Sequence, residues 1–256
     1  MAVLWCYRDQ GDNRYEVRTA GHSLRLYTNG VFHSQYNPKR PLSGGIWDLL
    51  VLPAFLNPPT GHERVLVLGV GGGAAIRQWN DLFRPALIVG VELNPVHLHV
   101  ARTFFEVEAP NVTLLEADAY QWLQTYRGPG FDVVIDDLFG DQDGAPARAV
   151  PADAPWCLAL RRLLNPGGRL VMNFDREAEL KRSAPVANPM VRRHFAAGLN
   201  LSIQHYSNHI GVFCRDQPDL GAFEQRLEAL PELEQYRRIG QLGFSLESLF
   251  GRNTFG

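Results

Sequence analysis

The feature that most constrains this chain is a glycine-rich segment that joins a strand-like run to a helix-like run. Residues 65–68 are apolar, residues 69–73 read Gly-Val-Gly-Gly-Gly, and a helical pattern starts at Ala74. Glycine lets the backbone turn sharply and lets a ligand approach the main chain without meeting a Cβ atom. A strand, a glycine turn and a helix form the front of a nucleotide-binding βαβ unit. The predicted cofactor-binding glycines are Gly69, Gly71, Gly72 and Gly73.

Two acids follow the next two strand-like runs. Glu92 comes after the apolar run at 87–91, about twenty residues beyond the glycine segment, where a carboxylate can accept both hydroxyls of a ribose. Asp118 follows the run at 112–115 and stands at a helix start. It can accept a hydrogen bond from an adenine amino group, cap the helix, or do both. We predict that Glu92 with Leu93, and Asp118 with Ala119, bind a nucleoside.

The glycine segment alone fits more than one nucleoside. Its Gly-x-Gly-x-x-Ala pattern also satisfies the dinucleotide fingerprint of NAD and FAD enzymes. Two features favour S-adenosylmethionine (AdoMet) or a relative of it. One is Asp118-Ala119, and the other is a predicted hairpin of residues 201–206 and 210–214, because an antiparallel last strand is typical of the class I methyltransferase fold. We therefore expect AdoMet or decarboxylated AdoMet, with NAD as the disfavoured alternative.

The remaining pattern predicts an α/β chain in two parts. Alternating runs around Asn29-Gly30 indicate a small N-terminal β-hairpin domain at residues 1–60. Prolines and a glycine at 57–61 mark the boundary. Residues 61–256 alternate strand and helix, which predicts a doubly wound, mostly parallel seven-stranded sheet. The apolar tail at 244–256 is expected to dock on the core or on a second subunit.

Several of these motifs resemble the spermidine synthase family, over most of residues 14–215. The segment from Gly69 to Gln78 is similar to the family's Gly-Gly-Gly-Asp-Gly-Gly loop and its continuation. Residues 91–94 are similar to its Val-Glu-Ile-Asp, and residues 131–137 to its catalytic Tyr-Asp-Val-Ile-Ile-x-Asp. The resemblance implies a class I AdoMet-dependent methyltransferase fold, a donor of the AdoMet type and a small-molecule acceptor.

Three positions depart from the family's pattern. The acid that the resemblance implies for the amine tail of decarboxylated AdoMet is Gly72 here. The second acid of the catalytic segment is Gly140, although Asp141 is adjacent, and the family's Tyr-His-Glu has no counterpart in residues 42–48. An aminopropyl transferase must hold cationic groups on both substrates, which requires several carboxylates in a partly desolvated pocket.

We therefore expect a spermidine-synthase-like transferase that moves a methyl group from AdoMet to a small-molecule acceptor. The first alternative is aminopropyl transfer from decarboxylated AdoMet to a diamine, with the acids at 136, 137, 141 and 143 rebuilding the pocket. The second is a nucleoside-binding protein that has lost catalysis.

The predicted base is Asp137, at the carboxyl end of the fourth core strand, with Asp136 as the other candidate. One of the two should serve the reaction and the other should brace the loop. Residues 140–151 are rich in Gly, Asp and Pro and are read as a lid or an ordinary surface loop. The predicted substrate-binding residues are His33, Asp141 and Asn173.

Composition excludes several classes of function. A net charge of −2 and a pI near 6.4 give no electrostatic reason to expect nucleic acid. Three isolated cysteines and no Cys/His cluster predict neither a disulfide framework nor a metal site. No secretion signal and no apolar run long enough to span a bilayer are read, so we expect no membrane partner and a cytoplasmic location. We also expect a homodimer.

Overall fold

A computed structural model describes residues 1–56, 64–142, 145–231 and 243–251, without the side chains at 141, 142 and 145. Within these ranges the strands form a four-stranded sheet, an eight-stranded sheet and a two-stranded hairpin. The prediction of an α/β chain with a doubly wound, mostly parallel sheet is confirmed.

The N-terminal strands form an antiparallel sheet in chain order. At its third turn, Asn29 and Gly30 have φ values of 53° and 84°, the positive values that a type I′ hairpin turn requires. Val17 and Leu26 are fully buried against the rest of the protein. The strands are β1 (Ala2–Arg8), β2 (Arg14–Ala20), β3 (Ser23–Thr28) and β4 (Val31–Tyr36). The expected β domain is thus a sheet of four strands.

A buried helical connection leads toward the large sheet. It consists of α1 (Asp48–Val51) and a 3₁₀ helix (Leu52–Leu56), and every residue of both is buried. The Arg169 guanidinium donates hydrogen bonds to the carbonyl oxygens of Pro53, at 2.7 Å, and Ala54, at 3.1 Å. These bonds satisfy carbonyls that a helix end leaves free. The proposed boundary at 57–61 lies outside the described residues, so the division into two domains stays a prediction.

The large sheet has the strand order β14-β12-β13-β11-β8-β5-β6-β7. The five adjacent strands β11, β8, β5, β6 and β7 are parallel to one another. Strand β13 pairs antiparallel with both β11 and β12. The predicted closing hairpin is therefore confirmed as β12 and β13. The strands are β5 (Arg64–Leu68), β6 (Leu87–Glu92), β7 (Val112–Glu116), β8 (Phe131–Asp136), β11 (Leu164–Phe174), β12 (Ala197–Ile203), β13 (His209–Cys214) and β14 (Phe244–Phe250).

Both faces of this sheet are covered, which explains the continuous apolar runs of its strands. In β5, Val65 and Val67 pack into one hydrophobic cluster, whereas Leu66 and Leu68 pack into a second cluster on the opposite face. The helices are α2 (Ala74–Leu82), α3 (Pro95–Thr103), α4 (Ala119–Thr125), α5 (Ala154–Arg162), α6 (Glu177–Arg182), α7 (Ala184–Ala187), α8 (Pro189–Arg192) and α9 (Leu220–Glu228).

The sheet has one strand more than the seven expected, because the C-terminal tail adds β14 to the edge of β12. A Cβ atom at Gly198 would lie 2.4 Å from the ring of Phe250, so this glycine admits the aromatic side chain. The tail therefore docks on the core of its own chain through residues 244–250. The homodimer stays a prediction.

Candidate active site

The carboxyl ends of β5, β6, β8 and β11 open into a cavity of about 660 Å³. Ligands of doubly wound sheets bind in the crevice beyond these strand ends. The N-terminal sheet and Ile46 and Trp47, just before α1, supply the facing wall. The predicted site residues that line the cavity are Gly69, Gly71, Glu92, Leu93, Asp137, Asn173 and His33. The predicted residues Gly72, Gly73, Asp118, Ala119 and Asp136 do not line it.

Two glycines of the loop between β5 and α2 line the cavity, and their binding of a cofactor stays a prediction. Gly69 and Gly71 have φ values of 85° and 53°, which favour glycine. A Cβ atom at Gly69 would lie 2.3 Å from the carbonyl oxygen of Asp137, and one at Gly71 would lie 3.3 Å from that of His33. The loop therefore passes close to the end of β8 on one side and to the N-terminal sheet on the other.

The other two glycines, Gly72 and Gly73, pack against the interior and do not line the cavity, so their cofactor-binding role stays a prediction. A Cβ atom at Gly72 would lie 2.8 Å from Phe105 and 2.9 Å from Ser34. One at Gly73 would lie 2.4 Å from Val107. Both positions are buried, so the side of the loop that carries them faces the protein interior.

Glu92 is tied to the glycine loop by its carboxylate. Oε2 accepts hydrogen bonds from the amides of Val70 and Gly71, both at 2.9 Å, and Oε1 accepts one from the amide of Asn94, at 2.9 Å. Burial raises the pKa of Glu92, and these three amides act in the opposite direction by stabilising the ionised form. The carboxylate thus holds the loop in place, and it also faces the cavity, where the ribose was predicted.

Asp137 is the carboxylate recessed at the junction of the strand ends. Its Oδ1 accepts a 2.8 Å hydrogen bond from Nδ2 of Asn173. Burial raises its pKa to about 7, with a further increase from the nearby charges of Asp136 and Glu92, while the Asn173 bond and the Arg148 charge lower it. A carboxyl group with a pKa near neutrality in a cleft is suited to proton transfer at physiological pH.

Asp136 does not line the cavity, and its hydrogen bonds fit the bracing role expected of one of the two acids, whereas a catalytic role for it stays a prediction. It is fully buried, and its Oδ2 accepts hydrogen bonds from Arg148, at 2.7 Å, and from the indole of Trp156, at 2.8 Å. Arg148 also donates to the carbonyl oxygen of Asn173. Arg148 thus links the segment after β8 to the end of β8, through its ion pair with Asp136, and to the end of β11, through the carbonyl oxygen of Asn173.

That segment is the predicted lid, and it forms an antiparallel hairpin of β9 (Phe139–Gln142) and β10 (Ala145–Arg148). Leu138, Phe139, Pro146 and Ala149 line the cavity, so the segment covers the site. Asp141 lies in β9, but its side chain is outside what the structure describes. Its predicted contact with substrate stays a prediction.

The N-terminal sheet closes the cavity through a polar cluster. His97 is hydrogen-bonded to Thr28 at 2.8 Å, and its ring lies 5.0 Å from the ring of His33. Burial lowers the pKa of His97 to about 4, so its imidazole is neutral at pH 7. His33 lines the cavity from the small sheet, and its contact with substrate stays a prediction.

Asp118 performs the helix-capping role that the sequence allowed. Its Oδ1 accepts a 2.8 Å hydrogen bond from the amide of Gln121 at the start of α4. Ala119, the next residue, is buried. Recognition of adenine by these two residues stays a prediction.

Several residues in and around the site were not singled out from the sequence, among them His97, Arg148, Tyr206 and Asn208. Asn208 and Tyr206 line the cavity from the loop between β12 and β13. A buried acid such as Asp136 signals that a basic partner must exist, but it does not say which arginine supplies it.

In the described part of the chain, no group of three or more His, Cys, Asp or Glu side chains is arranged to hold a metal ion. Across residues 1–56, 64–142, 145–231 and 243–251, none of the helices has the length and apolar character needed to cross a membrane.

Comparison with solved structures shows that the chain has a class I methyltransferase-like fold. A probable spermidine synthase from Corynebacterium glutamicum superposes with a TM-score of 0.70 at 18% identity, over 95% of each chain. A spermidine synthase in complex with the transition-state analogue AdoDATO gives 0.65 at 12% identity, over 90% of this chain and 78% of that one. Human methyltransferase-like protein 13, in complex with SAH, gives 0.55 at 21% identity, over 82% and 93%.

Sequence comparison identifies more specific relatives among the proteins that have this fold. The chain is similar in sequence to the polyamine aminopropyltransferases, as its motifs indicated. It is 33% identical to the one from Mycobacterium tuberculosis over 176 residues, which are 65% of this chain and 32% of that protein. It is 30% identical to polyamine aminopropyltransferase 1 of Streptomyces coelicolor over 175 residues, 65% and 31% of the two chains. The chain thus spans about a third of the length of these relatives. No protein-family model matches it.

The relatives bear on the choice between the two transfer reactions. The departures at Gly72 and Gly140 favoured methyl transfer from AdoMet. The names of the curated relatives support the alternative better, because each of those cited is an aminopropyltransferase.

Proposed function

We propose that this chain is a transferase that moves an aminopropyl group from decarboxylated AdoMet to an amine, with Asp137 as the base. The observation that carries the proposal is the position of Asp137. It lies recessed at the strand ends, faces the same cavity as the glycine loop and Glu92, and has one oxygen held by Asn173. The homology to the polyamine aminopropyltransferases supports the same reaction.

The donor would lie along the glycine loop, with its ribose at Glu92. Gly69 and Gly71 leave room for it, and the adenine would extend toward Leu93, Asp118 and Ala119. Leu93 lines the cavity and is 66% exposed, so it gives an apolar surface at the rim for a ring to cover.

The chemical step requires alignment and removal of one proton. The amine nitrogen attacks the propyl carbon attached to the sulfonium, a C–N bond forms, and the C–S bond breaks with its electron pair going to sulfur. The leaving group is the thioether 5′-methylthioadenosine. The proton of the amine goes to Asp137, and a positioned base of this kind contributes roughly 10²- to 10⁴-fold to rate.

Asp137 also suits an amine for an electrostatic reason. Amines are cations near pH 7, and an adjacent cation lowers the pKa of a carboxyl group. An arriving ammonium group would therefore ionise Asp137, whose pKa in the empty site is about 7. The ionised carboxylate would first bind the acceptor and then take its proton. His33 and Asp141 are proposed to contact the same acceptor.

Methyl transfer from intact AdoMet remains the competing reaction because of Gly72. Position 72 packs against Phe105 and Ser34, so the loop offers no acid there for the amine tail of the decarboxylated donor. The site would then have to hold that tail with other groups.

The products separate these reactions. The protein is incubated with decarboxylated AdoMet and 1,4-diaminobutane, and in parallel with AdoMet and the same amine, and the nucleoside products are resolved by chromatography. The proposal expects 5′-methylthioadenosine in the first reaction. S-adenosylhomocysteine in the second, with no methylthioadenosine in the first, would instead support methyl transfer. Binding of either donor without any product from a panel of mono-, di- and polyamines would indicate a nucleoside-binding protein without catalysis.

A further inference from the structure

We infer that Asn208 is a positioning residue for the base, and that it acts through the side chain of Asn173 to determine which oxygen of Asp137 is free to accept a proton. This inference rests on the proposed function, in which Asp137 is the base.

The register of the sheet brings the three residues together. Met172 of β11 pairs with Asp136 of β8 in the parallel ladder, so the next residue of each strand, Asn173 and Asp137, are neighbours. On its other side β11 pairs antiparallel with β13, with Phe174 opposite His209. Asn173 itself is opposite Ile210, and Asn208, two residues before Ile210, reaches Asn173 through its side chain.

The three side chains form a directed chain of hydrogen bonds. Nδ2 of Asn208 donates to Oδ1 of Asn173 at 3.0 Å, and Nδ2 of Asn173 donates to Oδ1 of Asp137 at 2.8 Å. Asn173 is only 5% exposed, so its amide has few other partners available. Its backbone is held separately, because its carbonyl oxygen accepts from Arg148.

The direction of these hydrogen bonds depends on Asn208. A side-chain amide has a donor end and an acceptor end, whereas an ionised carboxylate only accepts. If the amide of Asn173 were turned over, its oxygen would face Oδ1 of Asp137, and two acceptors would meet in a buried site. The donor from Asn208 occupies Oδ1 of Asn173 and so keeps Nδ2 directed at the carboxylate.

The consequence for the base is an assignment of its two oxygens. Oδ1 of Asp137 is occupied by Asn173, which leaves Oδ2 to receive the proton of the acceptor. The bond from Asn173 also favours the ionised form and opposes the effect of burial on the pKa of Asp137. Loss of that bond would leave more of Asp137 protonated at neutral pH and unable to act as a base.

The test compares Asn208→Asp with Ser207→Asp. Both variants add one negative charge to the same loop, but Ser207 is exposed and does not take part in the chain of hydrogen bonds described above. A carboxylate at 208 cannot donate to Asn173 and would attract its Nδ2 away from Asp137. The pKa of Asp137 is read by NMR titration of protein labelled with ¹³C at aspartate carboxyls, with the signal assigned by Asp137→Asn.

We expect Asn208→Asp to raise the pKa of Asp137 by at least about one unit, a tenfold change in proton affinity. Asn208→Ala, which removes the donor without adding charge, should raise it in the same direction by less. Ser207→Asp should change it by less than half as much as Asn208→Asp. Equal shifts in the two Asp variants, or an unchanged pKa in Asn208→Ala, would overturn the inference.

The titration needs no turnover, so it separates this inference from the proposed function. If the shifts occur but the protein transfers no group from any donor, the proposed function fails and the positioning role stands. If transfer occurs, the acid limb of the pH profile of kcat/KM should move upward in Asn208→Asp together with the pKa of Asp137. An unmoved acid limb in that variant would overturn the inference.

Discussion

Gly69 and Asp137 are in such close contact that a Cβ atom on the glycine would stand 2.3 Å from the carbonyl oxygen of the aspartate. The amide of Asp137 also donates to the carbonyl oxygen of Leu68, at 2.9 Å. The loop that would hold the donor and the base that would activate the acceptor are therefore one rigid unit. Orientation of reactants by such a unit can supply roughly 7–11 kcal/mol toward a reaction barrier.

The first prediction concerns this contact. Gly69→Ala should destabilise the protein by at least about 2 kcal/mol, because alanine is strained at positive φ and its methyl group would meet backbone atoms. Denaturant unfolding measures the change. Gly140→Ala is the matched control, since a Cβ atom there would meet nothing within 4 Å. Equal stability of the two variants would show that the loop is not packed against β8 as described.

A second prediction separates packing glycines from ligand-facing ones. Gly72→Ala should lower the free energy of unfolding by about 1–3 kcal/mol, because the added methyl group overpacks the contact with Phe105 and Ser34. Nucleoside affinity, measured by calorimetry on the folded variant, should be unchanged, because this glycine does not line the cavity. A large loss of nucleoside affinity with little loss of stability would show that Gly72 belongs to the ligand-binding site.

Glu92 should matter to both stability and binding. In Glu92→Gln, at least one of the amides of Val70, Gly71 and Asn94 loses its acceptor, which costs about 1–3 kcal/mol. Affinity for the nucleoside should fall as well. Glu116→Gln is the control, since Glu116 pairs with Glu92 in register on the neighbouring strand and is exposed. If both variants unfold at the same denaturant concentration, the carboxylate does not brace the loop.

The raised pKa of Asp137 predicts a pH dependence of stability. Its pKa rises from 3.8 to about 7 on folding, so between these values the native state binds more protons than the unfolded state. Stability from this group is therefore greatest at low pH and is lost as pH rises toward 7. Asp137→Asn removes the buried charge and should be more stable than the native protein at pH 8 by at least about 1 kcal/mol.

The same comparison at pH 4 should show a smaller difference between Asp137→Asn and the native protein. Asp175→Asn, which changes the first acid after the neighbouring strand β11, should show no comparable change with pH. A stability difference for Asp137→Asn that is the same at pH 4 and pH 8 would mean that Asp137 is not held protonated by the fold.

The central sheet could be predicted closely because its strands are buried on both faces and are bounded by glycine and proline. The strand Arg64–Leu68 begins one residue before the apolar run at 65–68, and Phe131–Asp136 lies within the motif segment 131–137. The eighth strand could not be predicted, since Phe244–Phe250 joins the sheet through pairing with β12 that no local pattern specifies. The number of strands is thus a tertiary property of this chain.

The site could be predicted where it depends on strand ends and not where it depends on neighbours from other elements. Asp137 and Glu92 were placed correctly because parallel strands end at one edge. The roles of the four glycines were not separable, because Phe105 and Val107, outside the loop, decide which of them face the interior. The bracing contact of Asp136 could not be predicted either, because its partner Arg148 lies twelve residues later in the hairpin.

The most direct test of the account is the release of 5′-methylthioadenosine from decarboxylated AdoMet by the native protein and by Asp137→Asn at pH 8, with 1,4-diaminobutane as the acceptor. The native protein should release it, and the variant should turn over at least about 100-fold more slowly while binding the donor with unchanged affinity. Equal turnover by both proteins would show that Asp137 is not the base.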